Sequence, residues 1–183
     1  MKRREFHDER FANSVVGRTC SEPAVAIELT PLPELCERLE DRQRFLLRRG
    51  LARLGRLIHS AVTHDRRNRP QLARLQKSFA AFREKFAAHL REEAETIFPF
   101  IRQLESSAVG KTHARRSLQT LTARLERQHF EADEAFAELC ALAGDGCART
   151  LRDNLASFER NLHEQIYEEN RVLFPRARAV SRA

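Results

Sequence analysis

The sequence contains few of the residues that form turns, sheets and disulfide frameworks. Among 183 residues there are no tryptophans, one tyrosine, six glycines and six prolines. Apolar residues make up 42% of the chain and charged residues 32%, a composition that is typical of a soluble helical protein. The length suits one domain that is large enough to bury a real core.

The cysteine spacing and the lack of long apolar segments argue against a disulfide-rich, a secreted or a membrane-spanning protein. The four cysteines form no CxxC pair, and a disulfide framework is not expected at this size, so we expect reduced thiols at Cys20, Cys36, Cys140 and Cys147. No apolar segment follows the basic start "MKRREFHDER", which argues against a secretory signal. No run of about 18 apolar residues is present either, so no membrane span is predicted. These features together predict a cytoplasmic protein.

Positive charge exceeds negative charge, and nearly all of the positive charge is arginine. The formal net charge of +7 could attract nucleic acid or an anionic membrane. However, no basic run is interleaved with aromatic residues, and no recognition helix or RNA-binding motif is present. We therefore favour a solvated, arginine-rich surface. Nucleic-acid binding through segments such as "RRNRPQLAR" remains a minor alternative.

Three breaks divide a long helical pattern into four parts. Residues 1–28 lack sustained periodicity and are predicted to form a poorly structured tail, whereas 29–180 form one bundle domain. The breaks are "NRP" at 68–70, "SSAVG" at 106–110 and "AGDG" at 143–146. They predict helices near 33–67, 70–106, 112–143 and 147–178. Because short links force neighbouring helices to run antiparallel, the expected fold is all-α, an up-down-up-down four-helix bundle.

Polar residues interrupt the apolar seams of the second and fourth helices. His89 and Glu93 stand four residues apart in the second seam, and Gln165 and Glu169 do so in the fourth. Side chains spaced in this way share one helix face. A buried carboxylate must pair, take up a proton or coordinate a metal. Glu and His that project inward from facing helices are how bundles build metal sites, so we predict such a site here.

The motifs around these residues resemble a known family. They are "HLREEAETIFPFI" at 89–101, "EENRVLFPRA" at 168–177, "ELTPLPELCERLEDRQ" at 28–43 and "EADEAFAEL" at 131–139. The sequence resembles the hemerythrin-like (HHE) domain and, within it, the di-iron proteins of iron–sulfur cluster repair. The similarity extends from about residue 28 to 178. It implies a four-helix bundle in which five histidines and two bridging glutamates bind two irons.

The resemblance carries over to some ligand positions and not to others. Positions that keep a ligand type are His64, His89, Glu93 and Glu169. Positions where the family has histidine and this chain does not are Gln43, Ala132 and Gln165. His129, one helical turn before Ala132, is a candidate replacement. The two glutamines are expected to form hydrogen bonds with the glutamates across the core, since a neutral amide is a weak ligand beside imidazole and carboxylate.

Two hypotheses of function follow from this ligand set. The first is an iron protein with one or two ions, which binds O2 or NO or acts on iron–sulfur proteins in repair or stress. The second is a metal-free, degenerate bundle that serves as a binding or sensory module. No Ser-His-Asp, Cys-His or phosphate-loop motif is present, so enzymatic activity stays open, as do the identity of the metal and the oligomeric state.

Overall fold

A computed structural model describes residues 30–65, 68–106, 111–144 and 146–181. The predicted tail at 1–28 lies outside the described residues. Among the described residues no helix is long and apolar enough to cross a membrane. Within the same ranges no disulfide joins Cys36, Cys140 or Cys147.

Four long helices make up the described chain, and three of them contain a π-helical segment. The first bundle helix consists of α1 (Leu32–Phe45), a π segment (Leu46–Leu51) and α2 (Ala52–His64). The second consists of α3 (Arg69–Glu92), a π segment (Glu93–Ile97) and α4 (Phe98–Ser106). The third is α5 (Lys111–Ala143), and the fourth consists of α6 (Arg149–Tyr167), a π segment (Glu168–Leu173) and α7 (Phe174–Val180). The predicted all-α four-helix bundle is confirmed, with helix bounds close to those expected.

The core has two apolar clusters, and every bundle helix contributes to both. One cluster gathers side chains such as Leu54, Phe82, Phe136 and Phe158. The other gathers side chains such as Leu35, Ile101, Leu125 and Phe174. Along the chain the first and third helices pass from the second cluster to the first, whereas the second and fourth helices pass the opposite way. This alternation is the up-down-up-down order.

Buried polar residues lie between the two clusters on all four helices. They are Gln43 on the first helix, His89 and Glu93 on the second, His129 on the third, and Gln165 and Glu169 on the fourth. A packed interior excludes such groups unless they find partners, so the polar layer must be internally satisfied or bind a ligand.

The second and fourth helices continue past Pro99 and Pro175, each of which follows a phenylalanine in what we call the FP motifs, at 98–99 and 174–175. A proline inside a helix usually bends or ends it, yet α4 and α7 extend beyond both of these prolines. A proline ring clashes with the carbonyl four residues earlier, here that of Glu95 or Arg171. Both carbonyls lie in π segments. Because a π turn moves the carbonyl away from its α-helical position, we infer that it accommodates the ring.

Candidate metal centre

Four buried side chains from three helices converge in the polar layer. They are His89, Glu93, His129 and Glu169, and one ligand atom from each lies within 4.8 Å of all the others. Glu93 and Glu169 are completely buried, and His129 is 1% exposed. Two carboxylates and two imidazoles so close together in an apolar interior form a donor set for a metal cation.

Local helix geometry brings the ligands to one level. His89 lies in the last turn of α3 and Glu93 begins the π segment that follows, so both side chains project from the same face. Glu169 lies near the start of the corresponding π segment of the fourth helix. π turns inside α-helices are frequent at functional sites, and here they begin at the repeated Glu-Glu motifs.

Three of the distances between ligand atoms match those around a single ion. Nε2 of His129 lies 3.1 Å from Oε1 of Glu93 and 3.1 Å from Oε2 of Glu169. Nε2 of His89 lies 3.3 Å from the same Oε1 of Glu93. Atoms that ligate one ion at about 2.0–2.2 Å lie roughly 3–4 Å from one another. Little rearrangement is therefore needed for these atoms to share an ion.

The two glutamines hydrogen-bond the two glutamates, Gln43 across the core as the sequence suggested and Gln165 within its own helix. Nε2 of Gln43 donates to Oε2 of Glu93 at 2.7 Å, and Nε2 of Gln165 donates to Oε1 of Glu169. The carbonyl Oε1 of Gln165 is buried and has no hydrogen-bond partner among the described residues. An acceptor left unpartnered beside a carboxylate is unfavourable without a cation or a donor.

Burial and mutual charge perturb the ionisation of the group. Burial, and then the charge of Glu169, raise the pKa of Glu93. Burial opposes protonation of His129, but the adjacent carboxyl groups of Glu169 and Glu93 outweigh it and raise the pKa of His129 to about 10. Burial lowers the pKa of His89, against the opposing charge of Glu93. Without a metal, a protonated His129 therefore supplies the positive charge between the two carboxylates.

The structure does not bring His64 to this group. His64 is an exposed residue at the end of α2, where its Nδ1 donates to the backbone oxygen of Ser60 at 2.8 Å. It follows Gln43 by 21 residues on the same bundle helix, a separation of about 30 Å. Since Gln43 occupies the polar layer, His64 is far beyond the reach of the same ion.

On the third helix the residue in the polar layer is His129 and not Ala132. Ala132 packs against the apolar cluster one turn further along. The other histidine near the layer, His163, binds Oδ1 of Asp133 through Nε2 at 2.6 Å and lies outside the group. Of the two candidates for the third-helix position, the structure therefore brings His129, and not Ala132, into the polar layer.

Several residues that support the site were not identified from the sequence. Gln128 and Asn170 bind the outer nitrogens of His89 and His129. Buried Glu168 accepts from Arg38 at 2.8 Å and from Arg42 at 2.9 Å. The available signal was adjacency in sequence, because Gln128, Asn170 and Glu168 each directly neighbour a ligand.

Comparison with known proteins agrees with the geometry. The sequence model of the hemerythrin HHE cation-binding domain matches residues 46–177, most of the chain. The chain belongs to the hemerythrin HHE cation-binding domain family. None of the curated proteins matches it.

The HHE domain binds cations, and the residues present here fit that role. All four clustered ligands lie inside the matched range, whereas Gln43 lies just before it. Imidazole and carboxylate donors suit divalent iron, manganese and zinc. Compared with the five histidines that the resemblance implies, however, this HHE domain has two in the cluster, because Gln43 and Gln165 are not histidines and His64 lies out of reach.

Proposed function

We propose that the protein binds iron at His89, Glu93, His129 and Glu169. The observation that carries this proposal is the convergence of four buried ligand atoms within 4.8 Å of one another. Membership of a cation-binding family supports it independently. Glu93 and Glu169 would neutralise a divalent ion in a layer that has no arginine or lysine among the buried groups described.

We further propose that this site takes one ion rather than two. Ions in two-metal sites lie about 3.5–4 Å apart and need ligands on both outer sides. The resemblance implies that Gln43 and Gln165 correspond to two of those outer ligands, and both hydrogen-bond the carboxylates instead. Two imidazoles and two carboxylates are sufficient for a single divalent ion.

Bound iron with an open position would supply redox and diatomic-ligand chemistry. The chain's own residues orient and shield such a site. Phe86 stacks against His89, and Phe174 lies parallel to His129 with ring centroids 6.0 Å apart. These rings exclude bulk water from one side of each imidazole, which favours small uncharged ligands over large polar ones.

The cellular role that we propose is handling of iron, oxygen or nitric oxide under stress, with iron–sulfur proteins as the partners. The resemblance of the two FP motifs to iron–sulfur repair proteins supports this role. Fewer ligands than the di-iron set should hold iron less tightly, which would suit donation of iron to a partner. The test is transfer of iron from the loaded protein to an apo iron–sulfur protein, compared with free ferrous iron.

Metal stoichiometry tests the binding proposal directly. The metal-free chain is incubated anaerobically with Fe²⁺, separated from free ion and analysed for iron per chain. About one ion per chain is expected from the four-ligand set. Because the ion binds only the folded protein, Fe²⁺ at 100 times its dissociation constant should raise the free energy of unfolding by about 2.7 kcal/mol.

A matched pair of variants links the binding to the site. Glu93→Gln should lose nearly all bound iron, whereas Glu95→Gln should retain it. Glu95 lies in the same π segment but is exposed. Equal iron contents in both variants, or no iron in the wild-type chain, would contradict the proposal.

A metal-free binding module is the second candidate. The pKa of His129, about 10, supports it, because a protonated His129 between Glu93 and Glu169 balances charge without a metal. Failure of Fe²⁺, Mn²⁺ and Zn²⁺ to bind or to stabilise the protein would favour this candidate.

A further inference from the structure

Both histidines of the cluster use their outer ring nitrogen to bind an amide oxygen. Nδ1 of His89 lies 2.7 Å from Oε1 of Gln128. Nδ1 of His129 lies 2.8 Å from Oδ1 of Asn170. An amide oxygen can only accept a hydrogen bond, so Nδ1 carries a hydrogen in both rings.

The position of the hydrogen on Nδ1 determines which ring nitrogen can bind a metal. A neutral imidazole has one N–H, and a hydrogen on Nδ1 leaves the lone pair on Nε2. Nε2 of His89 and Nε2 of His129 face the same atom, Oε1 of Glu93, at 3.3 and 3.1 Å. Each amide thus directs the metal-binding nitrogen of its histidine toward the carboxylates.

A second hydrogen bond fixes the orientation of the Gln128 amide. Its Nε2 donates to Oε2 of Glu92 at 3.3 Å, and Oε1 of Glu92 accepts from Arg124. If the amide were reversed, its oxygen would face the Glu92 carboxylate and its NH2 group would face His89. The carboxylate of Glu92 therefore keeps the oxygen of Gln128 facing Nδ1 of His89.

The supporting amides connect successive helices. Gln128 directly precedes the ligand His129 on the third helix and supports His89 of the second. Asn170 directly follows the ligand Glu169 on the fourth helix and supports His129 of the third. Each histidine is thereby oriented by a residue adjacent to a ligand on the next helix.

We propose that Gln128 and Asn170 are positioning residues of the metal site, which fix the Nδ1–H form of His89 and the ring orientation of His129 and so present both Nε2 atoms to one ion. The inference rests on the proposed metal binding. It adds two residues, and the Glu92–Arg124 pair behind one of them, to the four ligands. Outer partners of this kind typically change metal affinity by about 10- to 100-fold.

The first test measures the tautomer of His89 without any metal. Gln128→Met keeps the side-chain length and removes the acceptor. Nitrogen NMR of the metal-free wild type should show His89 protonated at Nδ1, because the oxygen of Gln128 accepts a hydrogen bond from that nitrogen. In Gln128→Met the fraction protonated at Nε2 should increase.

The second test measures Zn²⁺ affinity by competition with a chromophoric chelator. Gln128→Met and Asn170→Leu should each bind Zn²⁺ about 10- to 100-fold more weakly than the wild type. The matched control is Gln71→Met, which removes an interhelical bond from Gln71 to the backbone oxygen of Leu142 on the side of the bundle away from the site. The control should leave Zn²⁺ affinity unchanged.

A rescue variant separates positioning from packing. Gln128→Glu combined with Glu92→Gln exchanges the amide and the carboxylate, so His89 still faces an acceptor and position 92 still offers a hydrogen-bond partner. This double variant should restore the Nδ1–H tautomer and wild-type Zn²⁺ affinity. If Gln128→Met does not fold, the double variant and Asn170→Leu still test the proposal.

The outcomes distinguish this inference from the proposed function. A wild-type chain that binds neither Zn²⁺ nor Fe²⁺ would overturn both. Normal wild-type binding, with an unchanged His89 tautomer and unchanged affinity in Gln128→Met and Asn170→Leu, would overturn only the positioning role.

Discussion

Gln43 on the first bundle helix donates a 2.7 Å hydrogen bond to Oε2 of the buried Glu93 on the second. The resemblance to di-iron proteins implies a histidine at this position, and the same is true of Gln165. At both positions, where the resemblance implies a ligand, a glutamine instead donates a hydrogen bond to a carboxylate.

Restoring histidine at both positions should convert the site to a two-iron site. Gln43→His combined with Gln165→His supplies one imidazole on each outer side of the glutamate pair, so iron per chain should increase from about one to about two. Iron analysis and the visible absorption of a bridged pair measure the change. Gln76→His, on an exposed position of α3, is the control and should not alter the iron content. A double variant that still binds one ion would show that the glutamines do not limit stoichiometry.

Stability of the metal-free protein should decrease as pH rises above neutrality. The pKa of His129 is about 10 in the folded protein and 6.5 ordinarily. A group with a raised pKa stabilises the fold fully below its unfolded value, and this contribution is lost as pH rises through the folded value. The raised pKa of Glu93 acts in the same direction, but its effect begins at the lower ordinary value of 4.5. The free energy of unfolding, measured with denaturant and a chelator, should therefore fall between about pH 6.5 and 10.

The appropriate comparison is between two histidine variants. His129→Gln should remove most of this pH dependence, whereas His64→Gln, on the exposed end of α2, should retain it. Metal affinity should show the opposite trend and increase over the same range, because the ion must displace the proton of His129. A flat stability profile in the wild type would contradict the assignment of a charged His129.

The fold could be predicted from the sequence because the sequence signals for helices and breaks are local. Regular apolar seams and three short breaks specify four helices, and the interruption of two seams at His89–Glu93 and Gln165–Glu169 locates the polar layer. The π segments left no such signal, because a π turn shifts the phase of a helix without changing its composition.

The differences between prediction and structure concern the phase of side chains around a helix and the register between helices. His129 and Ala132 differ by one helical turn, so seam periodicity alone does not decide which of them reaches the layer. The resemblance points to His64 by its position in the sequence alone. At a rise of 1.5 Å per residue, however, the 21 residues between Gln43 and His64 place them about 30 Å apart. The contacts of Gln128 and Asn170 depend on the register between helices, which only tertiary packing determines.

Glu168 should contribute to stability beside the metal site. Its carboxylate accepts from Arg38 and Arg42, which joins the first helix to the fourth. The Glu168 side chain is 9% exposed, so Glu168→Gln would leave two partly buried guanidinium groups less well paired. We expect the free energy of unfolding to fall by about 1–3 kcal/mol, measured by denaturant titration. Asp153→Asn, which removes an exposed pair with Arg149, should change it by less than about 0.5 kcal/mol. Equal effects of the two variants would contradict this role.

Gly50 allows the first helix to approach the fourth closely. A Cβ atom at Gly50 would lie 2.8 Å from Cδ2 and Cε2 of Phe158. Phe158 cannot easily move, because it is buried and stacks on Phe136 with ring centroids 4.9 Å apart. Gly50→Ala should therefore destabilise the protein by about 1–3 kcal/mol through overpacking, partly offset by about 1 kcal/mol of helix propensity.

Gly55 on α2 provides the matched control for this prediction. A Cβ atom there would lie 3.4 Å from Cε1 of Phe79, which is close to an ordinary contact. Gly55→Ala should be neutral or stabilise the protein by up to about 1 kcal/mol, because alanine favours a helix over glycine. Thermal and denaturant unfolding of the two variants give the comparison. Equal stabilities of the two variants would mean that the Gly50–Phe158 approach does not constrain the packing of the two helices.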